Sequence, residues 1–309
     1  MKKFSFLLFA PLLLLFGLFF VGGTDEFTPR SLKIAWNFGH VIFFAIAVYL
    51  LLQLAPITHR KSPLSQFLLI IGLCLMAGIL IESIQFMIGR QASWGDVFRN
   101  ILGGLVALIF FPHRQAQNNV FFGRLAKAIV TILVGIQLVP LALALVDEQM
   151  ARSQFPMLAN FESQLELSRW ESDANITLDS NFVINGDKSA RIEFTTEKYS
   201  GLSTQFMPPD WKNYERVLFS SYLPGQAPLL LSYRIHDRQH EQGDYLYHDR
   251  FNRRVLLQPG WNHISAELTD VFNAPRTRQM DMGSIANIHF YVSNQKQPRV
   301  IYLDNLRLE

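Results

Sequence analysis

The residues best suited to chemistry lie in one stretch, from Glu82 to Gly104, which joins two apolar segments. Its polar members are Glu82, Gln85, Arg90, Asp96, Arg99 and Asn100. Ionisable groups at the edge of hydrocarbon are costly and usually serve a function. Together with His40 of an earlier apolar segment, two carboxylates could support acid–base chemistry or bind a divalent cation.

Helix spacing sorts these groups into shared faces. Glu82 and Gln85 are three positions apart, and Asp96 and Asn100 are four apart, so each pair lies on one helix face. We therefore predict one polar pocket that contacts the head group of a ligand, formed by His40, Glu82, Gln85, Arg90, Asp96 and Asn100. The alternative is helix packing alone, through Glu82–Arg90 or Asp96–Arg99 pairs and a hydrogen bond of His40.

The sequence motifs of several large enzyme classes are absent. The chain has no H-E-x-x-H, no G-x-S-x-G and no glycine-rich phosphate loop. We therefore assign no catalytic residues and favour binding over catalysis. An enzyme that uses Glu82 or Asp96 as general base remains the alternative.

The elements that must position the pocket are apolar segments of membrane-spanning length. We predict about five spans, at 4–21, 34–54, 64–88, 97–111 and 121–146. The first lacks a cleavage-site pattern, so we interpret it as an uncleaved span, with a cleaved signal peptide as the alternative. The fourth is short unless it begins near Ser93.

Charge differs between the two halves of the chain. Residues 1–150 hold 11 Lys and Arg against 6 Asp and Glu, whereas residues 151–309 hold 17 against 19. The basic residues of the first half lie between apolar runs, so no nucleic-acid partner is predicted. They are more numerous in the loops that lie on the same side of the membrane as the N terminus, which predicts a cytoplasmic N terminus. Five spans then place the second half on the extracytoplasmic side of the inner membrane.

The second half has strand periodicity. Turn pairs such as Asn185-Gly186 and Pro259-Gly260 separate short runs of β-branched and aromatic residues. The predicted strands are 189–196, 216–223, 229–236, 255–258, 262–268, 287–293 and 300–308. The fold class is therefore multi-domain, with an all-α transmembrane bundle followed by an all-β, jelly-roll-like sandwich. The domain bounds are 1–146 for the bundle, 147–157 for a linker and 158–309 for the sandwich.

The segment from His236 to Arg250 mixes polar and aromatic side chains. Such a mixture suits sugar recognition, because rings stack on pyranose faces while charged groups bind hydroxyls. We predict glycan contacts by Asp237, Asp244, Tyr245, Tyr247 and Arg250. A solvated loop without a ligand is the alternative.

Residues 1–145 resemble the VanZ-like family of multi-span membrane proteins, which is named for a protein associated with low-level teicoplanin resistance. The resemblance rests on His40, Glu82-x-x-Gln85, Arg90 and Asp96-x-x-x-Asn100-x-x-Gly103. The usual polar residue before the histidine is here Asn37 or Lys33. The resemblance implies no settled enzymatic activity. The partners that we predict are membrane lipid and a lipid-linked glycan, cell-surface polysaccharide or glycopeptide antibiotic.

Residues 158–309 look like a carbohydrate-binding module of the galactose-binding-like class. The matching segments are Asn160-Phe161-Glu162, Asn185-Gly186-Asp187, Pro259-Gly260-Trp261 and Leu303-Asp304-Asn305. This fold often holds structural calcium, for which Glu162 and Asp304 could supply oxygen ligands. No other cofactor is predicted.

Together these features predict an inner-membrane protein whose outward pocket binds an amphiphilic envelope component while the sandwich holds its glycan. Two other classes stay open: a membrane enzyme that modifies envelope glycan or lipid, and a structural scaffold of the envelope.

Overall fold

The computed structural model describes residues 16–17, 19–20, 28–54, 62–88, 92–111, 120–204 and 206–309. The chain divides into two compact units, Met1–Ala144 and Leu145–Glu309. The first is helical and the second consists mainly of antiparallel strands, as the change in periodicity predicts.

The long helices are α1 (Arg30–Leu54), α2 (Pro63–Met87), α3 (Trp94–Phe110) and α4 (Val120–Gln154). Helix α2 begins with Ser62 as its N-cap, whose Oγ accepts the N–H of Ser65 at 3.2 Å, followed by a proline in the first turn. Helix α3 begins directly after Ser93, at the earlier of the two starts that the sequence allows.

Three of these helices are long and apolar enough to cross a membrane: α1, α2 and the Gly123–Gln154 part of α4. Helix α3 has 17 residues, which is short for a bilayer that needs ~20. The predicted first span, 4–21, lies almost wholly outside the described residues. The structure therefore supports three candidate spans and does not support five.

Residues 147–154, which were predicted to lie in a linker, form the end of helix α4. They contain no helix breaker, since the next proline is Pro156. Asp147 is buried and accepts hydrogen bonds from Nε and Nη2 of buried Arg169 at 3.1 and 2.9 Å. This ion pair holds the segment within the second unit.

Two adjacent glycines let α3 pack closely on α1 and α2. A Cβ on Gly103 would lie 2.9 Å from Cβ of Phe44 and 3.0 Å from the backbone nitrogen of Ala45. A Cβ on Gly104 would lie 2.6 Å from Sγ of Cys74. These small residues therefore allow the three helices to approach closely.

The second unit is a sandwich of two antiparallel sheets. One contains β1 (Met157–Ala159), β3 (Asn175–Asp179), β4 (Ser189–Phe194), β6 (Arg216–Leu223), β9 (Gly260–Glu267) and β11 (Arg299–Leu308). The other contains β2 (Trp170–Ser172), β5 (Tyr199–Thr204), β7 (Leu229–Asp237), β8 (Phe251–Leu257) and β10 (Ile285–Ser293). Short helices lie between strands: α5 (Gln164–Leu167), α6 (Arg238–Glu241) and α7 (Leu268–Phe272).

The strand order of the six-stranded sheet is β3-β4-β11-β6-β9, with β1 also paired to β11. The order of the five-stranded sheet is β2-β5-β10-β7-β8. Alternate side chains of both sheets fill one core, among them Phe219 and Leu303 from one sheet and Tyr233 and Phe290 from the other. The residues between them lie on the outer faces, where a ligand site can form.

Candidate functional sites

Three helices bring part of the predicted pocket together. His40 of α1, Glu82 of α2 and Asp96 of α3 each offer a ligand atom, and these atoms all lie within 4.8 Å of one another. His40 and Glu82 are buried, whereas Asp96 is partly exposed. An imidazole and two carboxylates at this separation could share a proton or hold a metal ion.

Asn100 orients the ring of His40. Its Oδ1 lies 2.8 Å from Nδ1 of His40. Because an amide oxygen only accepts, the histidine donates from Nδ1, and Nε2 of the neutral ring keeps its lone pair. Asn100 is fully buried, and a Cβ on Gly78 would lie 2.8 Å from its Nδ2. Gly78 therefore leaves the space that Asn100 occupies.

Each carboxylate of the cluster is held through one oxygen. Oε2 of Glu82 accepts the backbone N–H of Ser93 at 2.6 Å. Its Oε1 is buried and has no hydrogen-bond partner in the described part of the chain. Oδ1 of Asp96 forms an ion pair with Arg99, one turn along α3. The second oxygen of each carboxylate is left for a ligand.

The predicted pocket residue Gln85 forms its hydrogen bond outside this group. Nε2 of Gln85 donates to the backbone oxygen of Phe19 at 2.9 Å, so its amide binds the chain before α1. Arg90 lies outside the described residues. A head-group contact by any of the six residues stays a prediction.

In the sandwich, Asp237 has a structural role. It is fully buried at the end of β7, and its Oδ1 accepts the N–H of His240 at 3.0 Å. Arg278 donates to Asp237 at 2.5 and 2.8 Å and to Asp249 at 2.7 and 2.9 Å. Burial opposes ionisation of Asp237, but the hydrogen bonds from Arg278 and backbone N–H groups hold its pKa below the usual value. Its oxygens are therefore engaged within the protein.

The other residues predicted to contact glycan lie at the surface. Asp244, Tyr245 and Tyr247 are exposed, and Arg250 is partly exposed. The guanidinium of Arg250 lies 5.4 Å from the ring centroid of Tyr247. An exposed ring beside a cation is suited to sugar contact, and this role stays a prediction.

A further polar group lies on the outer face of the five-stranded sheet. We define the sheet-face cluster as Arg234, His236, Arg250, His289 and Tyr291. Arg234 and His289 are directly opposite each other in the register of β7 and β10. Nε of Arg234, Nδ1 of His236 and Nδ1 of His289 are buried and have no hydrogen-bond partner among the described residues. Most buried polar groups are paired, so these atoms are unusual.

The alternation of side chains along β7 indicates which residues of this cluster point outward. Leu229, Leu231, Tyr233 and Ile235 point into the core, so Arg234 and His236 must point outward. The sequence predicts the strand, but the predicted glycan contacts do not include Arg234 or His236. The pairing with β10 could not be read from the sequence.

The sheet-face cluster is positively charged. Burial, together with Arg234, His236 and Arg250, lowers the pKa of His289 to about 3, so this ring is neutral near pH 7. Nε2 of His236 lies 2.8 Å from Glu241. Neither Arg234 nor Arg250 has an acidic partner at ion-pair distance among the residues described, so the cluster presents two guanidinium charges.

Glu162 and Asp304 both bind the loop between β3 and β4. Glu162 accepts the N–H of Asp187 at 3.0 Å, and Asp304 accepts the N–H of Ile184 at 2.6 Å. Calcium takes six to eight oxygen ligands, whereas the groups that converge here are N–H donors. The residues present do not fit a calcium site, and hydrogen bonds to the loop account for both carboxylates.

The outer face of the six-stranded sheet carries aromatic rings that pack on one another. Phe182 stacks on Tyr222 with 3.8 Å between ring centroids, and Trp261 lies nearly parallel to His263. The rings of Tyr222 and Trp261 are also in contact, at 5.3 Å. This face offers a second aromatic surface against which binding to the sheet-face cluster can be compared.

No family model and no curated protein matches the chain. Solved structures resemble it over about half its length. An exo-beta-agarase is 19% identical at a TM-score of 0.40, over 50% of this chain and 24% of that one. The Family 11 carbohydrate-binding module from Clostridium thermocellum, in complex with a beta-1,3-1,4-mixed-linked tetrasaccharide, is 16% identical at a TM-score of 0.38. The match covers 49% of this chain and 93% of that one.

A xylan-binding domain from Paenibacillus barcinonensis is 18% identical at a TM-score of 0.33, over 50% of this chain and 93% of that one. Because these TM-scores are low, we assign the sandwich fold from the strand order and core of this chain and not from the similarity. The chain spans about a quarter of the length of the agarase. Since no family model matches, the VanZ-like resemblance of the first half stays a prediction.

Proposed function

We propose that this chain is an integral membrane protein of the cell envelope that binds glycan through its sheet-face cluster. The observation that carries the proposal is the set of buried, unpartnered polar atoms of Arg234, His236 and His289 on an outward sheet face. A ligand rich in hydroxyl groups would satisfy these atoms once the side chains rotate towards it. The exposed ring of Tyr247, next to Arg250, would stack on a sugar at the edge of the cluster.

The charge of the cluster favours a glycan that carries carboxylates. Arg234 and Arg250 have no acidic partner at ion-pair distance among the described residues, and a guanidinium binds a carboxylate through two parallel hydrogen bonds. His289 stays neutral near pH 7 and so adds no charge of its own. We therefore expect an acidic polysaccharide to bind more tightly than a neutral one.

The test uses the full-length protein in detergent and two oligosaccharides of equal length, hexagalacturonate and cellohexaose. Calorimetry should show tighter binding of the acidic probe. Arg234→Ala should weaken that binding by about tenfold or more, since a charge-assisted hydrogen bond contributes ~1.5–3 kcal/mol. Tyr247→Ala should weaken the binding of both oligosaccharides.

Two controls on the opposite sheet separate this site from the second aromatic surface. Arg191→Ala removes an arginine that pairs with Glu193 at 3.1 Å, and Trp261→Ala removes an aromatic ring. Neither change should alter binding. Loss of binding with Trp261→Ala but not with Arg234→Ala would place the glycan on the six-stranded sheet and refute the proposal.

For the membrane half we propose a VanZ-like role. The predicted pocket residues His40, Glu82, Gln85, Arg90, Asp96 and Asn100 would contact the head group of a lipid-linked glycan. The convergence of three of these side chains within 4.8 Å supports a shared pocket. The sandwich would then raise the local concentration of the same ligand.

A further inference from the structure

We propose that His40, Glu82 and Asp96 bind a divalent transition-metal ion, and that zinc is the ion that fits best. The three side chains come from α1, α2 and α3, and their ligand atoms lie within 4.8 Å of one another. Ligands bound to zinc at ~2.0–2.1 Å lie roughly 3.4 Å apart in a tetrahedron, so small side-chain rotations complete the site. The site belongs to the helical unit alone and does not depend on glycan binding by the sandwich.

The hydrogen bond between His40 and Asn100 leaves one ring nitrogen of the histidine able to bind a metal. Its Nδ1 donates to Oδ1 of buried Asn100 at 2.8 Å, which leaves the lone pair on Nε2. Metal-binding histidines usually donate their other ring nitrogen to an oxygen in this way, and the partner fixes both tautomer and ring orientation. Asn100 therefore acts as a positioning residue.

Glu82 supplies the strongest sign that a ligand belongs here. Its side chain is 6% exposed, and its buried Oε1 has no hydrogen-bond partner among the described residues. Oε2 is fixed by the N–H of Ser93 at 2.6 Å, so the unpartnered oxygen is held in a defined direction. A buried carboxylate oxygen without a partner is costly, and a bound cation removes that cost.

Asp96 completes the charge balance and leaves a route for the ion. Asp96 forms an ion pair with Arg99, whereas Glu82 forms no ion pair among the residues that the structure describes. A divalent cation would neutralise the charge of Glu82. The side chains of Arg99 and Asp96 are 22% and 14% exposed, so this end of the site meets solvent.

The ligand set selects the metal. Calcium and magnesium favour all-oxygen sites, whereas an imidazole with carboxylates suits zinc and its first-row neighbours. Three protein ligands leave the fourth position of zinc open. An anionic oxygen of a second molecule could occupy it.

The first experiment measures zinc bound to full-length protein that has been purified in detergent and stripped of metal. We expect about one tightly bound zinc per wild-type chain. Glu82→Gln and Asp96→Asn should weaken binding at least tenfold. Asn100→Ala should weaken it about ten- to a hundredfold, because His40 loses the partner that orients it.

Controls exclude the other ionisable groups of the chain. Glu197→Gln and Asp173→Asn change exposed carboxylates of the sandwich, and His240→Asn changes the histidine beside Asp249. All three should bind zinc as the wild type does. Undiminished binding in Glu82→Gln, or loss of the tight zinc in His240→Asn, overturns the proposal.

A second measurement uses only the wild-type protein, so it does not depend on whether the variants fold. Cobalt(II) added to wild-type protein should give the visible absorption of a four-coordinate site, and one equivalent of zinc should abolish it. Wild-type protein that shows neither this absorption nor one bound zinc refutes the site.

Discussion

Arg278 fixes the roles of two acidic residues that are distant from it in sequence. It binds Asp237, 41 positions away, and Asp249, 29 positions away. No local pattern links these positions, because the pairing depends on how β7 and the loops around it are arranged. Sequence reasoning therefore placed Asp237 in a sugar site, whereas its carboxylate stabilises the fold.

The contribution of Arg278 can be measured directly. Arg278→Gln leaves the fully buried carboxylate of Asp237 without its counter-ion, which should lower the free energy of unfolding by about 3–5 kcal/mol. Arg253→Gln is the matched control, since Arg253 and Asp270 form an exposed pair worth at most about 1 kcal/mol. Urea titration followed by tryptophan fluorescence compares them. Equal losses would contradict a special role for Arg278.

His289 makes stability depend on pH. Its pKa is about 3 in the folded protein and about 6.5 in an unfolded chain. Between these values the unfolded chain binds a proton that the folded protein does not, so stability falls as pH drops from 6.5 towards 3. Urea midpoints at pH 7.5, 6 and 5 should decrease less in His289→Gln than in wild type. His263→Gln, at an exposed position, should follow the wild type.

The two candidate sites differ in how far sequence could predict them. Helix periodicity and the order of the apolar segments bring Glu82, Asp96 and His40 to one level, and the structure brings these three together. The sheet-face cluster depends on the register between β7 and β10. Register follows from packing across the whole sandwich, so Arg234 and His289 could not be paired beforehand.

At the scale of elements, the contact of α3 with α1 depends on a missing side chain. A Cβ on Gly103 would press on the backbone of α1, which cannot move away as a side chain can. Gly103→Ala should therefore destabilise the helical unit by about 1–3 kcal/mol. Thermal unfolding in detergent would show it.

Gly135→Ala provides the control for that prediction. Nothing lies within 4 Å of a Cβ at this position of α4, and alanine is the better helix former. Its melting temperature should equal or exceed that of wild type. A similar decrease in both variants would show that α3 does not rely on close contact.

Strand prediction succeeded where apolar side chains alternate. The strand Arg216–Leu223 has the predicted bounds, and Leu229–Asp237 extends one residue beyond its prediction. Tyr199–Thr204 was missed because its sequence is mostly small and polar. Its Gly201 lies against Tyr291 of β10, where a Cβ would come within 2.6 Å of the tyrosine Cβ. Close backbone contact replaces apolar burial at this position.

At the scale of the whole molecule, the charge of the loops predicts where the sandwich lies. In a Cys74→Ala background, a membrane-impermeant maleimide should label Lys296→Cys in intact cells, because this exposed residue is expected on the outer side. Arg114→Cys, in a loop predicted to be cytoplasmic, should react only after lysis. The reverse pattern would invert the topology.

Strand β11 follows the other ten described strands in sequence but lies inside its sheet, and this position sets an order of events in time. Strand β11 is paired with β4 on one side and with β6 on the other, and also with β1. The sheet can therefore close only after Arg299–Leu308 has left the ribosome. Until then β4 and β6 have no common neighbour, and the growing chain exposes two strand edges that a partner chaperone could protect. Deletion of residues 299–308 would remove the strand that joins the two halves of the sheet.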